Sequence, residues 1–384
     1  MSKTFAYIGN WSNPRTGGTG GITVTEYDEE KGTFSLLCRC FPEINCGAAC
    51  LDQEKGIIYY VNEQTEVYGQ NLGGQVFALK INPETGMLTE INHKPSYGLL
   101  PSYCAVDPSH QYLIVVNHSG RNVITKTIRD DEGEIKLIQE HDEAAVVLFP
   151  LGADGSIGMP CDIVRHTGHG ALPNQDSPHI HSVMVSPCGS FFAVCDKGND
   201  TLYFYRINRE MGTIDLCDKL SAIPGSSPRY SAFHPTEPYL YFNNETKSIV
   251  SMVRFDLEGK LEHVCSVSCM EDNSLDEKGM QSDIRIHPSG KYLYDLIRDN
   301  STIAVFVIDQ DTKIPIRTQI VPAGSNGSGR GLAISPDGRY LHAAACPEDG
   351  IYTYKIGVDG YLKAMPTEFK DAAPGNITFY RSLE

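Results

Sequence analysis

Arg330-Gly-Leu-Ala-Ile-Ser-Pro-Asp-Gly-Arg-Tyr-Leu-His342 contains a short apolar run, a Pro-x-Gly turn and a second apolar run. Three upstream segments share that shape, with Pro-x-Gly or a similar turn: His181-Ser-Val-Met-Val-Ser-Pro-Cys-Gly-Ser-Phe-Phe-Ala-Val194, Arg229-Tyr-Ser-Ala-Phe-His-Pro-Thr-Glu-Pro-Tyr-Leu-Tyr-Phe242 and Asp283-Ile-Arg-Ile-His-Pro-Ser-Gly-Lys-Tyr-Leu-Tyr294. Their prolines, Pro187, Pro235, Pro288 and Pro336, follow one another at 48, 53 and 48 residues. Two earlier copies fit, one from Ser102 to Val115 with Pro108, the other from Ala48 to Tyr60 without the proline. After each pair comes a third apolar run, such as Leu202–Ile207, Ile249–Phe255 or Ile303–Ile308, and then a weaker fourth. Short β-rich runs separated by Gly and Pro turns read as antiparallel strands. Four strands in a repeat of about 50 residues make one blade of a β-propeller.

The two ends of the chain complete the count. Phe5–Gly9, Gly21–Tyr27 and Gly32–Leu36 match the second, third and fourth strands of a blade that lacks its first. Gly375-Asn-Ile-Thr-Phe-Tyr380 matches a first strand without followers. Joined, they form a composite blade and leave the ring no open edge. With six internal copies this predicts an all-β, seven-bladed propeller spanning residues 1–384 as a single domain, although length alone would suggest two or three. A large β-sandwich or a solenoid would leave the orphan strands unpaired. With the composite blade counted as blade one, the Gly-, Pro- and His-rich stretch from Gly152 to Ser177 falls between blades three and four and reads as a long loop. Gly17 to Gly21 reads as a hairpin tip, and no helix follows it to favour a phosphate cradle.

Composition narrows the class of partner. With 48 acidic and 32 basic side chains the formal charge is −16, which repels nucleic acid and anionic membrane. Apolar runs stay short of the roughly 18–20 residues of a membrane helix. Met1 to Tyr7 lacks a basic segment followed by an apolar one. The 12 cysteines include no Cys-x-x-Cys, so they read as reduced, mostly buried thiols, and a cytoplasmic location is expected.

Blade geometry also predicts a site. The first strand of a blade lines the central channel and the second returns beside it. First-strand starts and second-strand ends therefore share one mouth. The starts supply Tyr103, His181, Arg229, Asp283, Arg330 and Asn376; the ends supply Asn62, Glu63, Asn117, His118, Asp196, Lys197, Asn244, Glu245 and Arg298. Strand ends are often polar because they meet water, yet four cations, Lys197, Arg229, Arg298 and Arg330, at one mouth of a strongly acidic chain suit an anionic ligand. His118, His179, Lys197, Glu63, Asp283 and Arg330 are accordingly expected to contact substrate. His234 and His287, beside the blade prolines, read as turn-packing groups, and Cys104 and Cys195 as inert strand thiols.

Pro178-His-Ile-His181-Ser-Val, Ser227-Pro-Arg229, Phe233-His-Pro, Asn244-Glu245, Asp283-Ile with Pro288-Ser-Gly-Lys-Tyr-Leu-Tyr, Arg298 and Gly329-Arg330-Gly-Leu-Ala-Ile-Ser-Pro-Asp-Gly together resemble the propeller lactonase family, which contains bacterial 6-phosphogluconolactonases and a fungal carboxy-muconate cyclase. The resemblance runs from Tyr7-Ile-Gly to Ile377-Thr-Phe. It implies lactone hydrolysis, with 6-phospho-D-glucono-1,5-lactone to 6-phosphogluconate as the leading reaction and His181, Arg229, Glu245 and Arg298 as the catalytic group. The alternatives are a cyclase of the carboxy-muconate type, a hydrolase of an unphosphorylated sugar lactone, and a non-catalytic binding propeller. Neighbouring residues depart from the family pattern at Asn174-Gln175, Tyr230, Leu296-Ile297 and Gly329.

The chemistry needs an activated water and a stabilised oxyanion. A histidine of ordinary pKa can take a proton from water, and arginine can donate charge-assisted hydrogen bonds to the forming oxyanion. Glu245 could orient His181 or be the base itself. No cofactor is expected. No metal is expected either, because His179 and His181 at i, i+2 lack an evident third ligand. The expected partner is a small anionic lactone, bound by a monomer or a homodimer.

Overall fold

The computed structural model describes residues 2–12, 20–65, 73–120, 122–271, 273, 279–324, 329–345 and 350–382. Seven four-stranded antiparallel sheets form a closed ring, and no helix occurs among the described residues. The inner strands are Cys46–Asp52, Pro101–Val106, Ile180–Val185, Pro228–Phe233, Gln281–Ile286 and Gly329–Ile334, with Pro374–Arg381 completing blade one. The closing strand pairs with Thr4–Asn10 in the register Phe5↔Tyr380, Tyr7↔Thr378 and Gly9↔Asn376. Ile22–Asp28 and Thr33–Cys40 complete that blade, as the orphan runs at the two ends require.

Second strands such as Ile57–Asn62 are buried along their whole length, because neighbouring blades cover both of their faces. Alternation therefore gives way to continuous apolar runs. The turns of the repeat also join blades. At Gly290 and Gly338 the backbone is left-handed, with φ of 70° and 74°, which glycine adopts without strain. The His234 ring donates from Nε2 to the Gly290 carbonyl at 3.1 Å, and His287 does the same to Gly338 at 3.0 Å. Each histidine thus clips its own blade to the turn of the next, the turn-packing role read from their place beside the prolines.

Two features of blade three depart from the repeat. A hairpin of Val123–Arg129 and Ile135–His141 is inserted between its second and third strands. The stretch expected to be a loop, Gly152 to Ser177, contains its fourth strand, Asp162–Arg165. This strand has four residues and is polar at both ends, so its sequence signal is slight. Most of the Gly17–Gly21 tip lies outside the described residues.

A device that recurs around the ring positions the site. In every blade the inner strand carries a register shift near its start. The bulged positions are Gly375, Gly47, Ser102, His181, Arg229 with Tyr230, Ser282 and Arg330. A bulge turns a side chain out of the regular alternation. Here it brings His181, Arg229 and Arg330 to the channel mouth, while Ser102 and Ser282 donate to the Ile180 and Gly329 carbonyls of the next blade.

Candidate active site

In blades one to six the residue just after the second strand is fixed by one repeated hydrogen bond. Its N–H donates to a carbonyl at or just before the start of the same blade's inner strand: Trp11 to Ala373, Glu63 to Asn45, His118 to Leu100, Lys197 to His179, Glu245 to Ser227 and Arg298 to Met280, all at 2.8–3.1 Å. These six side chains and the bulged residues make two rows around one mouth. Below them Tyr103, Tyr230, Asp283 and Arg285 fill the channel and leave a void of about 30 Å³. These side chains narrow the channel beneath the mouth and form its floor.

Glu245 lies at the centre of the polar groups. Its carboxylate is 2.6 Å from Lys197 Nζ, 2.6 Å from an Arg298 nitrogen and 3.6 Å from Arg229 Nε. Burial opposes its charge, but the attraction of Lys197, Arg229 and Arg298 outweighs that cost and holds the carboxyl well below the usual range. An acid that strong is a poor proton acceptor. Among the described residues it makes no contact with His181, so the structure does not support Glu245 as that histidine's orienter.

Arg229 also donates to the Ser282 carbonyl, and its guanidinium lies 4.9 Å over the Tyr230 ring. Burial first, and then the charge of Arg229, pushes Arg298 down to about 10. Burial also lowers Lys197, against the pull of Glu245.

The histidines form an array. His118 stacks on His179 at 4.7 Å with 17° between the planes, and its edge meets the His181 ring at 5.7 Å. His118 donates from Nδ1 to the Ser119 carbonyl. His181 Nδ1 is buried without a hydrogen-bond partner. Burial, then Arg229 and Lys197, pushes His181 well below its ordinary value, and burial with Lys197 takes His118 to about 3. Both rings are neutral at physiological pH, and His181 is a weaker base than an ordinary histidine.

Two residues expected at the substrate lie deeper. His179 is 2% exposed, hydrogen-bonded at Nδ1 to Ser119 Oγ and covered by His118. The i, i+2 spacing would put it on one face with His181 only in a regular strand, and the bulge at His181 removes that regularity. Asp283 accepts hydrogen bonds from the Leu332 N–H and from Arg285, so it braces the floor. Among the described residues no group of three His, Cys, Asp or Glu side chains could hold a metal ion.

The sequence reading omitted Trp11. It occupies the same address in blade one that Glu63, His118, Lys197, Glu245 and Arg298 occupy in theirs, and that address is the signal that identifies it. The Arg330 guanidinium stacks 4.6 Å from its ring centre.

A closed ring of seven four-stranded blades with its polar groups gathered at one mouth defines a seven-bladed β-propeller. Over residues 5–379 the chain matches the family described as Lactonase, 7-bladed beta-propeller, and it belongs to that family. It is 28% identical over 312 residues to a 6-phosphogluconolactonase of Bacillus subtilis, covering 81% of this chain and 79% of that one. A 6-phosphogluconolactonase of Formosa agariphila is 25% identical over 370 residues, 94% and 95% of the two chains. The solved structure of the periplasmic gluconolactonase of Pseudomonas aeruginosa superposes with a TM-score of 0.84 at 20% identity, covering 100% of each chain. Lactone hydrolysis is therefore the general activity of this chain.

Proposed function

We propose that the chain hydrolyses an anionic sugar-acid lactone, with 6-phospho-D-glucono-1,5-lactone to 6-phosphogluconate as the leading reaction. The observation that carries this reading is the charge of the mouth. Lys197, Arg229, Arg298 and Arg330 gather there against Glu245 and Glu63, on a chain whose formal charge is −16. A phosphate on the substrate would supply the missing negative charge. The names of the Bacillus and Formosa relatives support the same substrate.

In this reading the cations perform the electrostatic work. Arg298 and Arg229 are aimed by Glu245 and stay charged, so they can hold the carbonyl oxygen as it becomes anionic. The neutral imidazole of His181 adds a hydrogen-bonding face beside them. Arg330, stacked on Trp11, attracts the remote anionic group. Glu245 positions these cations and keeps its own charge through the cycle.

The test is a panel of lactones, with and without phosphate, assayed for ring opening by proton release. A kcat/KM at least about tenfold higher for the phosphorylated sugar lactone is the expected result. Equal or higher kcat/KM for the unphosphorylated lactone would identify a sugar-lactone hydrolase. Turnover only of a carboxy-muconate lactone would identify the cyclase.

A further inference from the structure

Blades one and two carry a glycine, Gly375 and Gly47, in the bulge of the inner strand, and in blade two the residue beside it is a carboxylate. Blades four, five and seven have His181, Arg229 and Arg330 in the bulge of the inner strand, but blade two has Gly47. The vacated space is filled by Glu63 of the same blade. A Cβ on Gly47 would lie 2.5 Å from Glu63 Oε2 and 3.1 Å from Glu63 Cβ. Gly47 is not in a left-handed conformation, so close approach, not φ, accounts for the glycine. Asn45 fixes the arrangement: its carbonyl accepts the Glu63 and Gly47 N–H groups, and its Nδ2 donates to the Glu63 carbonyl at 2.7 Å. The backbone is held and the carboxylate is left over. Among the described residues that carboxylate accepts no hydrogen bond and makes no contact ion pair.

We propose that Glu63 is the general base that takes the proton from the attacking water. The inference rests on lactone hydrolysis as the reaction and adds the proton acceptor that Glu245 and His181 do not supply. Lys197 and Arg229 act on both carboxylates, and Arg330 also acts on Glu63. Glu63 thus borders the same cationic pocket as Glu245 without being neutralised by contact. Burial lifts its carboxyl to about 7, against the pull of Arg330, Arg229 and Lys197. That range suits a base at neutral pH.

In the step, the water oxygen bonds to the lactone carbonyl carbon while one water proton passes to a Glu63 oxygen. The carbonyl π pair moves to the carbonyl oxygen, which Arg298 and Arg229 hold. The oxyanion then collapses, the bond from carbonyl carbon to ring oxygen breaks, and the ring oxygen leaves as a hydroxyl carrying the proton from Glu63. The hydroxy acid formed loses its proton to solvent.

The test compares Glu63→Gln, Glu63→Asp and Gly47→Ala with the wild type between pH 5 and 9, using the lactone of the panel that the wild type turns over best. Binding of the hydroxy-acid product is followed by the fluorescence of Trp11, the single tryptophan. The wild-type kcat should rise through an acid limb near pH 7. Glu63→Gln should lower kcat roughly 10²–10³-fold and abolish the limb, with product affinity within about threefold. Glu63→Asp should recover part of kcat and retain a limb. Gly47→Ala keeps the carboxylate but displaces it, so it should also lower kcat with little change in affinity; it provides the test if Glu63→Gln does not fold. An active wild type whose limb and kcat survive in Glu63→Gln, or in Gly47→Ala when only that variant folds, would overturn this proposal alone. A wild type that opens no lactone in the panel would overturn both this and the functional reading beneath it.

Discussion

Lys197 Nζ lies 2.6 Å from Glu245 Oε2, and both residues occupy the address just after the second strand, one blade apart. Arg298, one blade further on, closes on the other oxygen of the same carboxylate. One acid therefore ties together three consecutive blades and gathers the cations of the mouth.

Removing that carboxylate should cost stability. Glu245→Gln leaves Lys197, Arg229 and Arg298 largely buried without their counter-charge, which typically costs about 3–5 kcal/mol. Because the Glu245 carboxyl is held low, its contribution is complete above the unfolded value of about 4.3 and is lost as pH falls toward the folded one. Urea melts should show the full gap between wild type and Glu245→Gln at pH 7 and a smaller gap below about pH 4. A gap equally wide at pH 3 would mean the pair is not the source.

Catalytic and attracting cations should separate in kinetics. Arg298→Lys keeps a charge but loses the planar fork, and His181→Asn removes the imidazole face. Each should lower kcat roughly 10²–10³-fold in folded protein. Arg330→Gln should instead raise KM more than it lowers kcat. Steady-state kinetics on the preferred lactone checks the contrast. Equal KM effects at all three positions would indicate a binding surface with no oxyanion role.

The buried histidines should make the fold sensitive to acid. Burial takes His342, bonded to Tyr27 and Thr353, down to about 3, and His118 to a similar value. A neutral histidine in the folded state binds fewer protons than its unfolded counterpart, so stability is complete above about pH 6.5 and falls as pH drops toward 3. Thermal melts should show a falling Tm across that window. His342→Gln should flatten the slope there, even if it lowers stability at pH 7.

Ring closure should be indispensable. Truncation after Ala373 removes the strand that pairs along Thr4–Asn10 and leaves both blade one and the channel with an open edge. The shortened chain should melt at least about 10 °C below the full one or fail to fold. Coincident melting curves would mean that the six internal blades are stable without closure.

Much of this architecture is legible in residue order. The spacing of Pro187, Pro235, Pro288 and Pro336 gives the blade repeat, and the unpaired runs at Phe5–Gly9 and Gly375–Tyr380 give the closure. These are local signals, since turn chemistry and apolar runs depend on near neighbours. Strand order then gives each polar residue an address, so His118, Lys197, Glu245 and Arg298 can be placed at one mouth from sequence alone. What each side chain does at that address is decided elsewhere. A bulge at His181 separates it from His179, which slips behind His118. A missing side chain at Gly47 admits the carboxylate of Glu63. Glu245 becomes the counter-ion of three cations because Lys197 and Arg298, 48 residues before it and 53 after it, meet it across blade boundaries. Side-chain direction and charge pairing depend on contacts between blades, which exist only once the ring has closed.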